Sequence, residues 1–231
     1  MSRIDLEAWM KQPLIWAERV RGRSLGWTPD ADWFVNDPLG PVPHCHVEAS
    51  EIGYLAQGSL EIEIGGTKRI YKAGDFILMP PNKYHNYWFK GSDPVAFFVV
   101  VAPNHKYTRF HTKDFTPDMF EGNAPYANVF ETDDLPSDEH FEAKAITLDP
   151  GETEYEDTLE VQERVIYVVQ GQLAVRSGVM SGVLAADQYI HIPATTPHEL
   201  KNTSFEPVRF ISLVITDPYT AHGTEPEYEV E

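Results

Sequence analysis

The sequence contains little basic charge and a single cysteine, Cys45. With one cysteine, no disulfide can form within the chain, and neither a zinc nor an iron–sulfur site can be built from several thiolates. The 18 lysine and arginine residues face 36 aspartates and glutamates, which gives a formal net charge of −18. Because no basic cluster offsets this charge locally, nucleic acids and anionic membranes are not expected as partners.

Long apolar runs and nucleotide-binding motifs are also missing from the sequence. No run approaches the ~20 apolar residues of a membrane span, and the N-terminus carries acidic side chains where a signal peptide has a continuous apolar core. We therefore expect a cytoplasmic protein. No GxGxxG fingerprint, phosphate-binding loop or GxSxG elbow occurs. Hydrophobic residues nevertheless make up 42% of the chain and aromatic residues 12%, which is enough for a packed core.

The sequence repeats itself with a constant offset. The segment IGYLAQGSLEI (52–62) resembles VIYVVQGQLAV (165–175), and the offset of 113 residues persists from position 54 to position 214 without a gap. One offset over so long a stretch indicates two homologous halves. The identical pairs are Tyr54 and Tyr167, Gln57 and Gln170, Gly58 and Gly171, Leu60 and Leu173, Pro80 and Pro193, His85 and His198, Pro94 and Pro207, Val95 and Val208, Phe97 and Phe210, and Val101 and Val214.

Both halves have the pattern of short β-strands. The segment LEIEI (60–64) alternates strictly, which places Leu60, Ile62 and Ile64 on one face. The run VAFFVVVAP (95–103) is continuously apolar, like a strand covered on both sides. Turn signals recur about every 8–12 residues, and long helical patterns are missing. The sequence therefore predicts an all-β protein of two tandem barrels that pack together, with short helices only near residues 5–20 and in the connector.

The predicted domain organisation follows from the repeat and from the polarity of the remaining segments. The connector between the repeats lacks periodicity and is expected to wrap the outside of the barrels, and the acidic tail contains prolines and is expected to be loosely held. We assign residues 1–34 to an N-terminal extension, 35–103 to the first barrel, 104–140 to the connector, 141–217 to the second barrel and 218–231 to the tail.

Two histidines that lie two residues apart, in PHCHVEASE, are the first candidates for a functional site. In a strand, His44 and His46 project to the same face while Cys45 points away, as a small core residue would. Two imidazoles on one face suit a divalent metal, and Glu51 and His85 can add a carboxylate and a third imidazole from other strands. Two exposed strand histidines would be the simpler interpretation of an isolated pair, but the completeness of the set favours a metal.

The residues around these candidates resemble the two motifs of the cupin family. HCHVEASEIGYLAQG matches the first motif, a His-x-His followed after four residues by Glu and after six more by Gly. GDFILMPPNKYH matches the second, a Gly, five residues, a Pro and a His five residues later. The resemblance spans both halves and implies a bicupin, two jelly-roll barrels of the double-stranded β-helix type. It also implies one divalent metal ion per chain, bound in the first barrel by His44, His46, Glu51 and His85.

Two positions depart from the motifs, and one glutamate competes for the carboxylate role. Asn82 stands where the second motif usually has glycine, and asparagine tolerates the left-handed backbone region. Phe89 stands where the motif usually ends in asparagine, which bears on the lining of the pocket rather than on metal binding. Glu48 shares the strand face of the two histidines, but the motif spacing favours Glu51 as the ligand. Glu48 is therefore interpreted as a residue of the rim or of the surroundings of the metal ligands.

The same offset, applied to the ligands, predicts that the second barrel holds no metal. Leu159, the counterpart of His46, cannot bind a metal, and Arg164, the counterpart of Glu51, would repel one. Two interpretations of the arginine remain open, an ion pair with Asp157 where the metal would lie, or a site formed with His198 for a carboxylate-bearing ligand. The counterparts are Asp157 for His44, Leu159 for His46, Arg164 for Glu51 and His198 for His85.

These residues favour an enzyme that acts on a small molecule in the first barrel. Iron is the metal expected first, and manganese, nickel, cobalt, copper and zinc also fit the ligand set. The aromatic segment after His85 favours a dioxygenase with a small aromatic or partly apolar substrate, and Glu48 and Tyr87 are the candidate catalytic residues for proton transfer. The alternatives are an isomerase, lyase or decarboxylase that uses the metal as a Lewis acid, or a non-catalytic small-molecule-binding protein. A homodimer is compatible with each of these.

Overall fold

The chain is built from antiparallel β-strands. The computed structural model describes residues 14–20, 45–46, 50–88, 95–102, 108–109, 116–156 and 162–215. Within these residues, 18 strands are accompanied by a single 3-10 turn, Pro117–Phe120, so the predicted all-β class is confirmed. No helix in the described part of the chain is long and apolar enough to cross a membrane. The chain divides into two compact units, with the boundary between Asn128 and Val129.

The described residues of the first unit form ten strands. They are β1 (Leu14–Val20), β2 (Cys45–His46), β3 (Ser50–Gln57), β4 (Ser59–Ile64), β5 (Thr67–Lys72), β6 (Asp75–Met79), β7 (His85–Trp88), β8 (Val95–Ala102), β9 (Thr108–Arg109) and β10 (Tyr126–Asn128). The strands pair in the orders β1-β8-β3-β6-β10, β5-β4-β7 and β2-β9. β8 lies inside the largest sheet, and its residues 95–100 are all buried, as its continuous apolar run predicted. Leu60, Ile62 and Ile64 in β4 are also buried and alternate with more exposed residues, which confirms the predicted face.

The described residues of the second unit form eight strands. They are β11 (Phe141–Leu148), β12 (Thr153–Glu156), β13 (Glu163–Gln170), β14 (Gln172–Ser177), β15 (Met180–Ala185), β16 (Tyr189–Ile192), β17 (His198–Lys201) and β18 (Val208–Ile215). They pair in two four-stranded sheets, β11-β18-β13-β16 and β12-β17-β14-β15. Ile166 and Phe210 from the first of these sheets share a buried apolar cluster with Leu200 from the second. Two sheets around a common core are what a jelly-roll barrel requires.

The 113-residue offset relates the two units strand by strand. Strands β3, β4, β5, β7 and β8 match β13, β14, β15, β17 and β18 at both ends, and β6 and β16 match at their C-terminal ends. Even an irregularity repeats, because the register shifts between Leu55 and Gln57 in the first unit and between Val168 and Gln170 in the second. The two halves therefore have one fold, as the repeat predicted.

The N-terminal strand corrects the helix predicted near residues 5–20. Residues 14–20 pair antiparallel with β8, with Leu14 opposite Val101, and residues 5–13 lie outside the described part of the chain. The helix prediction is wrong over residues 14–20. Pairing with an apolar, buried strand outweighs the weak helix preference of a short isolated segment.

Strand β11 is the counterpart of β1 in the second unit. Glu142 in β11 pairs with Val214, and Leu14 in β1 pairs with Val101, which lies 113 positions before Val214. Leu14 and Glu142 are themselves 128 positions apart, so the first unit has 15 more residues than the second between this strand and the next shared one. The extra length falls between β1 and β3, in the stretch that contains the His-x-His motif.

The connector contributes structure to both units. In its described part, the predicted short helix is the 3-10 turn Pro117–Phe120, and β10 extends the largest sheet of the first unit by pairing with β6. In the second unit, Arg209 of β18 donates hydrogen bonds to the carbonyl oxygens of Val129 and Thr132. These bonds attach the start of the second unit to its barrel.

Gly53 makes room for an aromatic ring in the core of the first unit. It lies in β3, and a Cβ atom built on it would be 2.2 Å from Cζ and 2.5 Å from Cε2 of Phe97. The Phe97 ring packs edge-on against Tyr87, with 5.6 Å between the ring centroids. The absence of a side chain at Gly53 therefore sets the positions of both rings.

Replacing Gly53 with alanine should lower the free energy of unfolding by about 1–3 kcal/mol, because the added methyl group must displace a ring in a packed core. Urea unfolding followed by tryptophan fluorescence measures this change. The matched control is Gly182→Ala in β15, where a Cβ would meet no atom within 4 Å. The control should not lose stability, and equal losses in the two variants would contradict the packing argument.

Candidate metal centre

Three side chains from three sheets converge inside the first unit. His46 belongs to β2, Glu51 to β3 and His85 to β7, and these strands lie in the two-stranded, five-stranded and three-stranded sheets. Their exposed fractions are 4%, 0% and 1%. A histidine pair with a carboxylate at this depth is not a solvated surface, so the interpretation of His46 as an exposed strand residue is wrong.

The two imidazoles face the same oxygen of Glu51. His46 Nε2 lies 2.7 Å and His85 Nε2 3.1 Å from Glu51 Oε2. The ligand atoms of the three residues all lie within 4.8 Å of one another, and the imidazole centroids are 5.4 Å apart. Imidazole nitrogen and carboxylate oxygen both bind divalent transition metals, so this cluster could hold a metal ion.

The backbone decides which nitrogen of His85 faces the cluster. Nδ1 lies 2.9 Å from the carbonyl oxygen of Lys83, which can only accept a hydrogen bond. Nδ1 therefore carries a hydrogen, and Nε2 presents a lone pair to Glu51 whenever the ring is neutral. Two electron-pair donors that face each other at this distance need a proton or a cation between them. A metal shared by the three residues satisfies that need, so the donor set fits a divalent ion.

Tyr87 binds the other oxygen of the same carboxylate. Its hydroxyl donates a hydrogen bond to Glu51 Oε1 and lies 3.6 Å from the sulfur of Met79. Its ring centroid lies 6.0 Å from that of His85, two residues earlier in β7. One oxygen of Glu51 thus faces the imidazoles while Tyr87 holds the other, an arrangement that orients the carboxylate towards the cluster.

The turn before β7 is tied directly to the strand that carries His46. Asn82 has a φ of 59°, which explains how it replaces the motif glycine, and its N–H donates to the carbonyl oxygen of His46 at 2.7 Å. Cys45 is fully buried, and its thiol lies 3.9 Å from the sulfur of Met119, so it is a core residue as predicted. These contacts bring the distant His85 close to His46.

The structure brings together four of the six residues predicted for the site. The other two, His44 and Glu48, lie outside the described residues, as does Phe89. The role of His44 as a metal ligand and that of Glu48 beside the ligands therefore stay predictions. The four residues that lie together are His46, Glu51, His85 and Tyr87.

The corresponding position of the second unit holds a cation of the protein's own. Arg164, the counterpart of Glu51, is 2% exposed. Its Nε donates to Ser212 Oγ at 2.8 Å, and its Nη1 lies 2.9 Å from His198 Nε2. Its Nη2 pairs with Glu154 Oε1 at 2.8 Å. A buried guanidinium thus stands where the first unit has a carboxylate, and the absence of a metal from this barrel stays a prediction.

The repeat also preserves the orientation of the histidine. His198 Nδ1 lies 3.1 Å from the carbonyl oxygen of Thr196, as His85 Nδ1 faces that of Lys83. The same backbone contact therefore directs Nε2 inward in both units. In the second unit this nitrogen accepts a hydrogen bond from Arg164 rather than facing a carboxylate.

Sequence reasoning missed Glu154 and Ser212. It named Asp157 as the partner of Arg164, and Asp157 lies outside the described residues, whereas Glu154 forms a described ion pair. The repeat gave no signal for Glu154, because its counterpart in the first half is Pro41. Ser212 could have been found, because it is a hydroxyl residue within the apolar run FISLVI at the same strand position as a core valine of the first half.

Comparison with known proteins supports the resemblance seen in the motifs. A family model described as the cupin domain matches residues 37–101 and 145–215. The pectin degradation protein KdgF of Dickeya dadantii is 33% identical over 70 residues, a match that covers 29% of this chain and 63% of that protein.

Solved structures resemble the fold at low sequence identity. The salicylate 1,2-dioxygenase of Pseudoaminobacter salicylatoxidans, solved as adducts with gentisate, has a TM-score of 0.59 at 12% identity. The match covers 75% of this chain and 64% of the dioxygenase chain. The oxalate decarboxylase of Bacillus subtilis has a TM-score of 0.52 at 15% identity, and the match covers 76% of this chain and 64% of the decarboxylase chain. The chain thus spans less than two thirds of each of these relatives, and the likeness to the two enzymes is one of fold.

We expect one divalent metal ion per chain, bound in the first unit. Glu51→Gln and His85→Ala should each reduce the metal content close to zero, because each removes a donor from the buried cluster. Elemental analysis of protein purified without added metal gives the stoichiometry. Metal at 100 times its dissociation constant should also add about 2.7 kcal/mol to the stability of the wild type but not of the variants.

His198→Ala is the matched control for this prediction. It removes the corresponding histidine of the second unit and should leave the metal content unchanged. Two ions per chain, or equal loss of metal in the control, would refute the assignment of one site to the first unit.

Tyr87→Phe should weaken metal binding by about 10- to 100-fold, because the carboxylate of Glu51 loses the hydroxyl that orients it. Competition with a fluorescent chelator measures the dissociation constant. Tyr167→Phe is the control, since it removes a buried tyrosine hydroxyl that binds Asp187 at 3.2 Å in the second unit. An unchanged metal affinity in Tyr87→Phe would exclude the orienting role.

Proposed function

The chain belongs to the cupin family, and we propose that its first unit is the active site of a metal-dependent enzyme whose leading reaction type is a dioxygenase. The convergence of His46, Glu51 and His85 on one point carries this proposal. With His44 as the predicted fourth ligand, a divalent ion would retain coordination positions for small molecules. When bound, iron would supply redox chemistry towards oxygen, and a redox-inactive ion would supply Lewis acidity alone.

The surroundings of the ligands support an apolar or aromatic substrate. Tyr87 and Phe97 pack edge-on beside the cluster, and Met79 contacts the Tyr87 hydroxyl. A low-dielectric wall of this kind excludes water and strengthens the interactions of charged groups with a bound molecule. A sugar would need more hydrogen-bonding side chains than these residues offer. Met79, Tyr87 and Phe97 belong to the buried hydrophobic core of the first unit, which also includes Leu55, Leu60, Ile62, Ile64, Ile77 and Val99.

Within this proposal, Tyr87 has two tasks. Its hydroxyl orients Glu51, and the same proton is available for transfer to or from a substrate oxygen placed near the metal ligands. Glu48 remains the second candidate for proton transfer. Both tasks of Tyr87 use one hydroxyl group, so its removal should affect metal affinity and turnover together.

The hydrogen bond from Tyr87 to Glu51 also favours a second candidate function. A proton-carrying group beside a metal ligand suits an isomerase, lyase or decarboxylase, in which a Lewis-acid metal polarises the substrate and a side chain moves a proton. The similarity to a pectin degradation protein, over 63% of that protein's length, adds products of pectin breakdown to the substrates worth testing.

Oxygen uptake by the iron-loaded protein distinguishes the two functions. We expect uptake that depends on substrate when phenolic, diketone and flavonol-like compounds are screened with an oxygen electrode. Glu51→Gln should reduce the rate to background, and Tyr167→Phe should leave it unchanged. The same compounds and a pectin digest are then incubated without oxygen, with product formation followed by mass spectrometry.

Conversion without oxygen, together with no uptake from any compound in air, would replace the dioxygenase by the Lewis-acid enzyme. Turnover that persists in Glu51→Gln would refute an active site at this centre. If metal binds with the expected stoichiometry but nothing is converted under either condition, the centre serves a binding protein and the catalytic proposal fails.

A further inference from the structure

The mouth of the second barrel contains a pocket with a buried charged floor. The pocket has a volume of about 340 Å³, within the usual range for small-molecule sites. Its polar lining comes from strands β11, β12, β13 and β18 and from the residue before β13. The residues that supply it are Glu142, Lys144, Glu154, Gln162, Arg164 and Ser212.

The floor of this pocket corresponds to the metal centre of the first unit with its charge reversed. Arg164 lies at the same strand position as Glu51. Glu51 pairs with Val101, and Arg164 pairs with Val214, which lies 113 residues after Val101. A buried arginine thus stands at the point of the fold where the first unit has a buried glutamate. Arg164 is 2% exposed, its Nε and Nη1 are held by Ser212 and His198, and its Nη2 is the nitrogen that donates to a carboxylate.

A carboxylate of the protein itself, that of Glu154, binds Arg164 at the floor of the pocket. Glu154 Oε1 lies 2.8 Å from Arg164 Nη2, and the Glu154 side chain retains 30% exposure. Its other oxygen, Oε2, is buried and accepts no hydrogen bond from the described residues. An acceptor of this kind favours a ligand that brings hydroxyl donors of its own.

The rim of the pocket adds a second cation. Lys144 donates to Glu142 Oε1 at 2.6 Å, and this hydrogen bond raises the pKa of the Lys144 ammonium group. Lys144 is therefore charged at neutral pH. Cations at the floor and the rim, each beside a carboxylate, suit a small acid that also carries hydroxyl groups.

We propose that this pocket binds a small hydroxycarboxylate whose carboxylate contacts Arg164 in the place taken by Glu154, with its hydroxyl groups donating to the displaced glutamate. The site is independent of the reaction in the first unit. It takes up the alternative in which Arg164 binds a ligand, and it makes Glu154 a competitor of that ligand rather than a mere structural partner.

Calorimetric titration of the full-length protein with tartrate and succinate tests this proposal. The two acids differ only in two hydroxyl groups, and we expect tartrate to bind more tightly, with the uncharged diamides of both not binding. Glu154→Gln should raise the affinity for succinate about tenfold, because it removes the competing carboxylate, and should reduce the preference for tartrate, because the charged acceptor of its hydroxyl groups is lost. Lys144→Gln should lower the affinity for both acids about two- to fivefold, and Arg164→Lys should abolish binding, because one ammonium group cannot keep the contacts with Ser212 and His198 and also donate to the ligand.

Two controls separate this pocket from other sources of binding. Lys201→Gln removes an exposed lysine of β17 outside the pocket and should leave the affinity unchanged. Glu51→Gln disables the metal centre and should also leave it unchanged, whether or not the proposed enzyme activity exists. Circular dichroism of each variant checks that it folds. If Arg164→Lys does not fold, Lys144→Gln still tests the proposal, because it changes an exposed residue.

Three results would overturn the proposal. The first is no saturable binding of either acid to the wild type and to Glu154→Gln. The second is binding that Glu51→Gln abolishes, which would place the acid at the metal centre. The third is weaker binding of succinate in Glu154→Gln than in the wild type, which would show that Glu154 supports Arg164 rather than competes with a ligand.

Discussion

A carboxylate with no solvent exposure must be matched by positive charge or by hydrogen-bond donors, and the first unit is organised around such a group, Glu51. Its Oε2 faces Nε2 of two imidazoles, and its Oε1 receives the hydroxyl hydrogen of Tyr87. The imidazoles come from two other sheets, so strands of three sheets meet at the buried carboxylate. The chemistry proposed for the protein depends on this requirement. A cation placed among these donors would neutralise the buried carboxylate and would be held by it in return.

The second unit meets the same constraint with opposite charges. Its backbone repeats the strands, the register shift and the carbonyl contact that orients the histidine. At the position of Glu51 it holds Arg164, which is compensated by Glu154 and hydrogen-bonded to Ser212 and His198. The fold therefore provides a location for a buried charge, and the side chain at one strand position decides its sign. Duplication of such a barrel therefore yields two buried positions of opposite charge on the same arrangement of strands.

Much of this organisation could be predicted from the sequence, because the signals are local or repeated. Strand alternation identified the buried face of Leu60, Ile62 and Ile64, and a constant offset identified the two halves. The resemblance to the two cupin motifs predicted Glu51 and His85 as partners of the first histidines, and both lie beside His46. The N-terminal strand was missed because residues 14–20 acquire their conformation from pairing with β8, and no pattern within a short segment reports its pairing partner. Gly53 was missed for a similar reason, since its importance lies in the Phe97 ring that would collide with a side chain.

The sequence by itself determined the fold class, the duplication and the kinds of atoms available to bind a metal, because these follow from periodicity, spacing and residue chemistry. Only the tertiary structure decided which oxygen of Glu51 faces the imidazoles, that Tyr87 holds the other oxygen, and that Glu154 pairs with Arg164. These contacts join residues from different strands, and their geometry depends on how sheets pack and which side chains are buried together. A hydrogen bond or an ion pair has its full effect only at distances near 3 Å and in a low-dielectric interior. Such distances are properties of the folded chain and are not written in the order of its residues.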